Sequence, residues 1–344
     1  MKFAAAAVFA LLVLFSAYSA QTPYFKYQLI EKEGFSFPVF SNPAKKAATG
    51  KINQLLQLAE LNLLKGFESE DIFEKARSDN AGTIYGGKTD IESRIEHNSG
   101  KFLSLKLIEA SSGMTCRYWV QYYTFNSGNG DYIQLKDLFT EKGYQAFHRF
   151  VMKRRIADFK KELLKLEPDQ RDGLMGIIGS YEADDLLDFY IKGSNIYIDG
   201  ENSFAKNDKF YGIETVSKLK LAEFRNYLND YGRSLFSISQ EPVGKFRGDP
   251  FFQLFQGTIA GKKVLLLLNK DDHDEIKAEY VYLRYGLGLF LTGELEKDQL
   301  TLTEKIPGYE ENGFVSAKFD GRQIVGTWTN KDRSETHELR LARK

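Results

Sequence analysis

Cysteine and histidine, the residues that form disulfides and bind zinc, are scarce in this sequence. Its 344 residues include one cysteine, Cys116, and four histidines. One thiol cannot form an internal disulfide, so the folding free energy must come from hydrophobic cores. A structural zinc site needs several cysteine or histidine ligands, and no His-x-x-x-His spacing occurs. We therefore predict no metal and no other cofactor.

An excess of either charge is also absent. Lysine plus arginine number 47, and aspartate plus glutamate number 47. Nucleic-acid-binding proteins normally carry a basic excess or a basic stripe, so we expect no nucleic-acid partner. The Gly-x-Ser-x-Gly motif of serine hydrolases is missing too. These absences predict a protein that is not an enzyme and has no catalytic residues.

Long apolar runs are absent except at the start of the chain. Lys2 precedes an unbroken apolar run at residues 4–15, and small residues follow it. This pattern is typical of a secretory signal peptide, and the run is shorter than the roughly 20 residues of a membrane span. Cleavage after Ser19 places Ala17 at the −3 position, whereas cleavage after Ala20 places Tyr18 there, which is less usual; both sites stay open. We assign residues 1–20 to the signal peptide and expect an exported protein, periplasmic or secreted, with no membrane anchor after cleavage.

Residues 21–240 mix helical and strand patterns. Asn42 and Pro43 form a helix start, and apolar residues at helical spacing follow until Gly66. Three alternating stretches joined by short turns predict an antiparallel meander, and an amphipathic helix follows. The meander strands are expected at residues 91–97, 102–109 and 116–125, and the helix at 143–166. This part is predicted to be an α+β domain.

Residues 245–344 have an almost pure β pattern. Short alternating stretches are separated by turns that carry Gly, Asn and Asp. Eight strands are expected at residues 255–259, 264–269, 276–283, 287–295, 299–304, 313–319, 324–329 and 337–341. Closure into an antiparallel barrel would remove exposed strand edges. We therefore predict an all-β, barrel-like second domain.

The segment "QLKDLF" lies between the meander and the long helix. Asp favours turns because its carboxylate accepts backbone N–H bonds two residues further on. Leu138 and Phe139 would then fill the gap between the sheet and the helix. We predict that Asp137 forms an architectural corner rather than a binding site.

Aromatic side chains are the main candidates for binding, since they make up 14% of the chain. In "YWVQYYTF", alternation places Tyr118 and Tyr122 on one face of a strand and Trp119 and Tyr123 on the other. One face must pack on helices, whereas the other is either open for a ligand or covered by a further layer. Tyr and Trp are frequent in binding hot spots.

The barrel contains a second set of aromatic candidates for binding. Tyr280 and Tyr282 could line the mouth of the barrel or simply fill it. Cys116 lies among aromatics on a strand and is expected to be buried and inert. Asp184 and Asp185 belong to an acidic cluster that would supply the paired carboxylates of a hydrolase, although a solvated face is the favoured interpretation.

Four segments of the first domain resemble a known family. They are "ATGKINQLLQLAE" after "FPVF", "HNSGKFLSLKLI", "YYTFNSGNGDYIQLKDLF" and "KLKLAEFRNYLNDYG". Together they resemble the exported domain of unknown function that is shared by lysozyme-sensing anti-sigma factors and a peptidoglycan N-acetyl deacetylase. The second domain resembles small β domains that end in Gly-Thr-Trp, here residues 326–328. This chain shows neither the anti-sigma segments nor the deacetylase domain, so those activities are not implied.

The sequence therefore predicts an exported, non-catalytic binding protein of the cell envelope. The resemblance implies a lysozyme-like protein or cell-wall glycan as the partner. The alternatives are a hydrolase acting on glycan or peptide through paired carboxylates, and a structural accessory module.

Overall fold

The computed structural model of the chain describes residues 23–78, 86–114, 116–182, 184, 186–204, 212–245, 251–270, 275–305 and 311–344. The predicted signal peptide lies outside these ranges. Within them the chain forms a five-stranded sheet, a three-stranded sheet and a closed eight-stranded barrel, with helices packed on the sheets. The α+β domain and the antiparallel barrel predicted from the sequence are confirmed.

The five-stranded sheet has the strand order β1-β2-β3-β4-β5. Its strands are β1 (Lys26–Lys32), β2 (Phe35–Ser41), β3 (Lys88–Asn98), β4 (Phe102–Ser112) and β5 (Cys116–Asn126). The predicted meander is β3-β4-β5, which pairs antiparallel throughout. β2 runs parallel to β3 and meets it at Phe35 and Ile91.

The helix α1 (Lys46–Leu61) begins where the sequence indicates. Asn42 accepts a hydrogen bond from the backbone N–H of Ala44 at 3.0 Å and so caps the 3₁₀ turn that leads into the helix. The helix ends at Leu61 rather than near Gly66, because Asn62 adopts a left-handed backbone with φ 53°. A short helix, α2 (Glu74–Ser78), follows it.

α1 is packed between the five-stranded sheet and the outer wall of the barrel. Ile52 and Leu56 of the helix belong to one buried apolar cluster with sheet residues and with Leu254, Leu265 and Val281 of the barrel. The two predicted domains therefore share apolar contacts through α1. The boundary placed at residues 240–245 stays a prediction.

The other face of the five-stranded sheet is covered by a second layer. The elements of this layer are α3 (Glu141–Leu163), α4 (Pro168–Leu174), α5 (Ile177–Glu182), β6 (Phe189–Lys192), β7 (Asn195–Asp199), β8 (Val216–Lys220), α6 (Leu221–Phe224) and α7 (Asp230–Leu235). The Ser104 hydroxyl lies 3.0 Å from that of Thr124 and accepts a hydrogen bond from the N–H of Ile191 at 3.1 Å. The sheet face that could have been open is thus closed over this region.

The predicted corner is present, but Asp137 works differently from the expectation. Its carboxylate accepts a hydrogen bond from the N–H of Gln134, three residues earlier, at 2.7 Å, and it lies 2.7 Å from the ammonium of Lys245. Asp137, the third residue of the 3₁₀ turn Leu135–Leu138, therefore bonds back to the residue that precedes the turn. Leu138 and Phe139 are buried as predicted.

The barrel contains the eight strands expected from the sequence. They are β9 (Gln253–Ile259), β10 (Lys262–Lys270), β11 (Ile276–Tyr282), β12 (Gly288–Glu296), β13 (Gln299–Lys305), β14 (Glu311–Phe319), β15 (Gln323–Asn330) and β16 (Thr336–Arg343). Each pairs antiparallel with its neighbour in sequence, and β16 pairs with β9 to close the barrel. Its interior is filled mainly by apolar side chains.

Candidate functional site

A cleft opens beside the C-terminal part of α1, between the five-stranded sheet and the barrel. Leu55, Ala59 and Glu60 of the helix line it. The cleft has a volume of about 780 Å³, which lies within the range of small-molecule sites. It is the best candidate for a binding site in the described part of the chain.

The sheet wall of the cleft is formed by β4 and β5. Glu109 lies directly opposite Trp119, and Ser111 lies opposite Arg117, so these side chains project from the same face. Trp119 is half-buried, whereas Tyr118 at the rim is 53% exposed. This wall therefore combines aromatic and polar side chains.

The barrel wall of the cleft is formed by β10, β11 and β12. Asn269 is paired with Lys277, Leu267 with Glu279, and Glu279 with Phe290. All five side chains line the cleft. Two parts of the chain that are distant in sequence thus supply amide and aromatic groups to one cavity.

The floor of the cleft is a buried charged cluster. The Lys88 ammonium donates a hydrogen bond to the Glu60 carboxylate at 2.5 Å and lies 2.9 Å from that of Glu109. The Tyr123 hydroxyl donates a hydrogen bond to Glu60. The exposed fractions of the Glu60 and Glu109 side chains are 6% and 0%.

The two carboxyl groups of the floor have opposite pKa shifts. Burial raises the pKa of Glu109 well above its ordinary range, and the negative charge of Glu60 raises it further. Burial also acts to raise the pKa of Glu60, but the Lys88 charge and hydrogen bonds from its neighbours outweigh burial and hold it below the ordinary value. The same Lys88 ammonium therefore helps to hold the pKa of Glu60 below its ordinary range but does not offset the effect of burial on Glu109.

The carboxyl groups of Glu60 and Glu109 share one cation, because both lie within 2.9 Å of the Lys88 ammonium. Both side chains are almost inaccessible to water, whereas a glycosidase needs its two carboxyl groups exposed to the sugar bond that lies between them.

Sequence reasoning missed this cluster, although β4 carries a signal for it. Leu103, Leu105 and Leu107 alternate toward the core, and Glu109 is the next residue of that face. A charged residue at an inward position needs a partner. Its partners come from α1, β3 and β5, and no local pattern identifies them.

The predicted aromatic residues of β5 divide into two groups. Tyr118, Trp119 and Tyr123 line the cleft, with Tyr123 at its buried floor. Tyr122 is buried against the second layer, where its hydroxyl donates to Asp199 and its ring stacks on Tyr190 at 6.1 Å. The structure thus brings together three of the four.

The predicted aromatic residues of the barrel lie inside it. Tyr280 is 1% exposed and its hydroxyl donates to the buried Glu304 carboxylate at 2.6 Å. The Trp328 ring N–H donates to the same carboxylate at 2.8 Å. Tyr282 packs edge-on against Tyr280 with ring centroids 5.6 Å apart. These residues fill the barrel and are separate from the cleft.

The acidic cluster after α5 forms ion pairs and hydrogen bonds. Asp184 lies 2.5 Å from the buried Arg155 guanidinium. Asp188 accepts a hydrogen bond from the Asn202 amide at 2.7 Å, and burial raises its pKa to about 7. Asp185 lies outside the described residues.

The expectation that Cys116 is buried was wrong. Its thiol is exposed at the first residue of β5. Alternation correctly placed it on a strand, but the end of this strand projects beyond the layers that cover its middle.

The described residues contain no group of three or more His, Cys, Asp or Glu side chains arranged to hold a metal ion. Among the helices of the described ranges, none combines the length and hydrophobicity that a membrane span requires.

Comparison with known proteins gives structural neighbours only. Neither a family model nor a curated protein matches the chain. A crystal structure of a DUF3298 family member from Bacteroides fragilis is similar to it, with 12% identity and a TM-score of 0.43 over 64% of this chain and 99% of that one. A DUF3298 family protein from Pseudomonas aeruginosa shows 11% identity and a TM-score of 0.38 over 62% of this chain and 95% of its own. The family of these neighbours is one of unknown function, as is the domain that the sequence resembles.

Proposed function

We propose that this protein is an exported, non-catalytic binding protein of the cell envelope, and that the cleft holds a segment of cell-wall glycan. The proposal rests on the composition of the cleft. Trp119 and Phe290 face it from opposite walls, beside the amides of Gln121 and Asn269. Aromatic rings pack on the C–H faces of sugar rings, and amides form hydrogen bonds with the sugar hydroxyls. Ligand pockets usually combine aromatic walls with a few polar groups in this way.

Export is supported by the sequence alone. Lys2 and the apolar run at residues 4–15 have the order of charge and hydrophobicity found in signal peptides. A periplasmic or secreted protein would meet cell-wall glycan directly.

Isothermal titration calorimetry with soluble peptidoglycan fragments tests the glycan proposal. Trp119→Ala removes the largest aromatic surface of the sheet wall, and we expect affinity to fall about tenfold or more, the scale of a binding hot spot. Tyr118→Ala and Tyr285→Ala form a matched pair, since these rings are 53% and 55% exposed but only Tyr118 borders the cleft. Equal effects of the two substitutions, or full affinity in Trp119→Ala, would refute the cleft as the site.

A lysozyme-like protein is the alternative partner implied by the sequence resemblance. The same calorimetry with lysozyme in place of the fragments separates the two ligands. Lysozyme binding that persists in Trp119→Ala, without glycan binding in the unmodified protein, would replace our proposal by a protein-binding role outside the cleft.

A hydrolase is the second candidate, because the cleft contains a carboxyl pair with opposed pKa shifts. The burial of Glu60 and Glu109 and their ion pairs with Lys88 favour a structural role. Mass spectrometry of glycan and peptide fragments after prolonged incubation decides between these roles. Products formed by the unmodified protein and absent with Glu60→Gln would establish hydrolysis.

A further inference from the structure

The five-stranded sheet has one covered edge and one open edge. An edge strand carries a row of backbone N–H and C=O groups that can pair with another chain. At the β5 edge, the Asn202 side chain accepts from the N–H of Val120 at 3.1 Å and donates to its carbonyl at 2.8 Å, and Tyr132 pairs with Phe125. At the other edge, β1 pairs with β2 alone among the described strands, and six of its seven residues are exposed.

The register of the β1-β2 hairpin determines which backbone groups face the open edge. Lys32 pairs with Phe35 across a two-residue turn, and the pair that flanks such a turn is hydrogen-bonded. Bonded and non-bonded pairs then alternate, which makes Leu29 and Pro38 a non-bonded pair, as the missing N–H of proline requires. The N–H and C=O groups of Leu29, and of the residues two positions to either side, therefore point away from β2.

The side chains of β1 suit a second copy of the same strand. In a symmetric antiparallel pair centred on Gln28, Tyr27 lies opposite Leu29 of the other copy, and Lys26 lies opposite Ile30. The exposed fractions of Tyr27 and Leu29 are 45% and 38%. The two-fold axis brings both Tyr–Leu pairs together on one face of the sheet, where cross-strand pairs of this kind stabilise the pairing.

Neighbouring registers of the same pair meet specific conflicts. A pair centred on Leu29 would place the lysines at the two ends of β1 opposite each other, and like charges directly opposite are destabilising. A pair centred on Tyr27 would place Leu29 opposite Phe25, whose N–H and C=O are already bonded to the Asn98 side chain. The register centred on Gln28 avoids both conflicts.

We propose that two copies of this protein associate through β1, in an antiparallel pair centred on Gln28 that joins their five-stranded sheets into one continuous sheet. Both copies use the same backbone groups and the same apolar side chains, so the interface is closed and stops at two copies. Strands of this length give a small interface, and the association therefore depends on protein concentration. The inference is independent of the ligand of the cleft.

Sedimentation-velocity ultracentrifugation over a range of protein concentrations measures the association. We expect a monomer–dimer equilibrium, and we expect Leu29→Pro to weaken it about tenfold or more, because proline removes an N–H that faces the other copy rather than β2. Leu29→Val keeps this N–H and an apolar side chain and should associate normally. A protein that stays monomeric at every concentration, or a dimer that Leu29→Pro does not weaken, would overturn the inference.

Cysteine cross-linking in a Cys116→Ser background tests the register. At a non-bonded antiparallel pair the two Cα atoms are about 4.5 Å apart, which lies within the range of a disulfide. Gln28→Cys should therefore form a disulfide-linked dimer across the two-fold axis, whereas Lys26→Cys, which lies opposite Ile30, should not. Both positions are exposed, so this experiment also decides the matter if Leu29→Pro does not fold. Equal cross-linking of the two variants, or none in Gln28→Cys, would contradict the proposed pairing.

Discussion

At the scale of single residues, the carboxylate of Asp137 makes two contacts that stabilise the folded protein. It accepts the N–H of Gln134 and pairs with Lys245, whose side chain is 2% exposed. In Asp137→Ala the Lys245 ammonium retains only its bond to the carbonyl of Tyr132 among these contacts. We expect a loss of about 3–5 kcal/mol, as for a broken buried pair, rather than the roughly 1 kcal/mol of a single turn hydrogen bond.

Denaturant unfolding of Asp137→Ala measures this loss, with Asp137→Asn as the control that keeps the shape of the side chain. Phe139→Ala, which empties a buried ring site, should cost about 3–5 kcal/mol for a different reason. A loss of 1 kcal/mol or less in Asp137→Ala would show that Lys245 is easily re-solvated and that the ion pair is unimportant.

Cys116 provides a second prediction for a single residue. Its exposed thiol should react with a disulfide reagent in the native protein at a rate close to that in denaturant. Cys116→Ser should leave stability within about 0.5 kcal/mol, as is usual for surface substitutions. Native labelling that is much slower than denatured labelling would restore the buried assignment.

At the scale of elements, the junction between α5 and β6 contains a carboxyl group with a raised pKa. Burial raises the pKa of Asp188 to about 7, well above the ordinary range of an aspartate. The folded state therefore holds this proton where the unfolded state has released it, and stability should fall as pH rises from about 4 to about 7. Asp188 is only partly buried, so we expect about 1–2 kcal/mol.

Unfolding free energies of the unmodified protein and of Asp188→Asn across this range test the prediction. The variant should lose that part of the pH dependence which Asp188 contributes. An identical pH profile in both proteins would assign the dependence to other groups.

The elements themselves were largely visible in the sequence, and the cleft was not. The barrel strands were located because alternation and Gly, Asn or Asp turns repeat at short intervals, and β16 closes on β9 without any long connection. The end of α1 was predicted near Gly66, because glycine is the usual residue just after a helix. The left-handed backbone of Asn62, where the helix actually ends, is not marked by any pattern in the sequence. The cleft joins β5, which ends at Asn126, with barrel strands that begin at Lys262, so only tertiary packing could bring Trp119 to Phe290.

At the scale of the whole molecule, α1 links the two domains. It is buried on the sheet side and on the barrel side, and Leu265 and Val281 of the barrel are fully buried in the cluster that contains it. The N–H of Leu64 also donates to the carbonyl of Gly286, and that of Gly288 to the carbonyl of Asn62, both at 2.9 Å. Backbone hydrogen bonds and apolar burial therefore hold the barrel against the first domain, which keeps both walls of the cleft in place.

This packing gives a prediction for the connection between the domains. Limited proteolysis should cut near Pro242, because no helix or strand spans residues 236–245. In the part of the chain that the structure describes, each barrel strand pairs with two other barrel strands in a closed ring, so the C-terminal fragment should stay folded. We expect the two fragments to elute together in size-exclusion chromatography, since separation would expose the apolar cluster to water. Leu265→Asp should release the barrel from the nicked protein, and Val325→Asp, at a barrel position that is 40% exposed, should not. Free separation of the unmodified fragments would mean that α1 does not hold the barrel, and the cleft would then lose its second wall as a fixed feature.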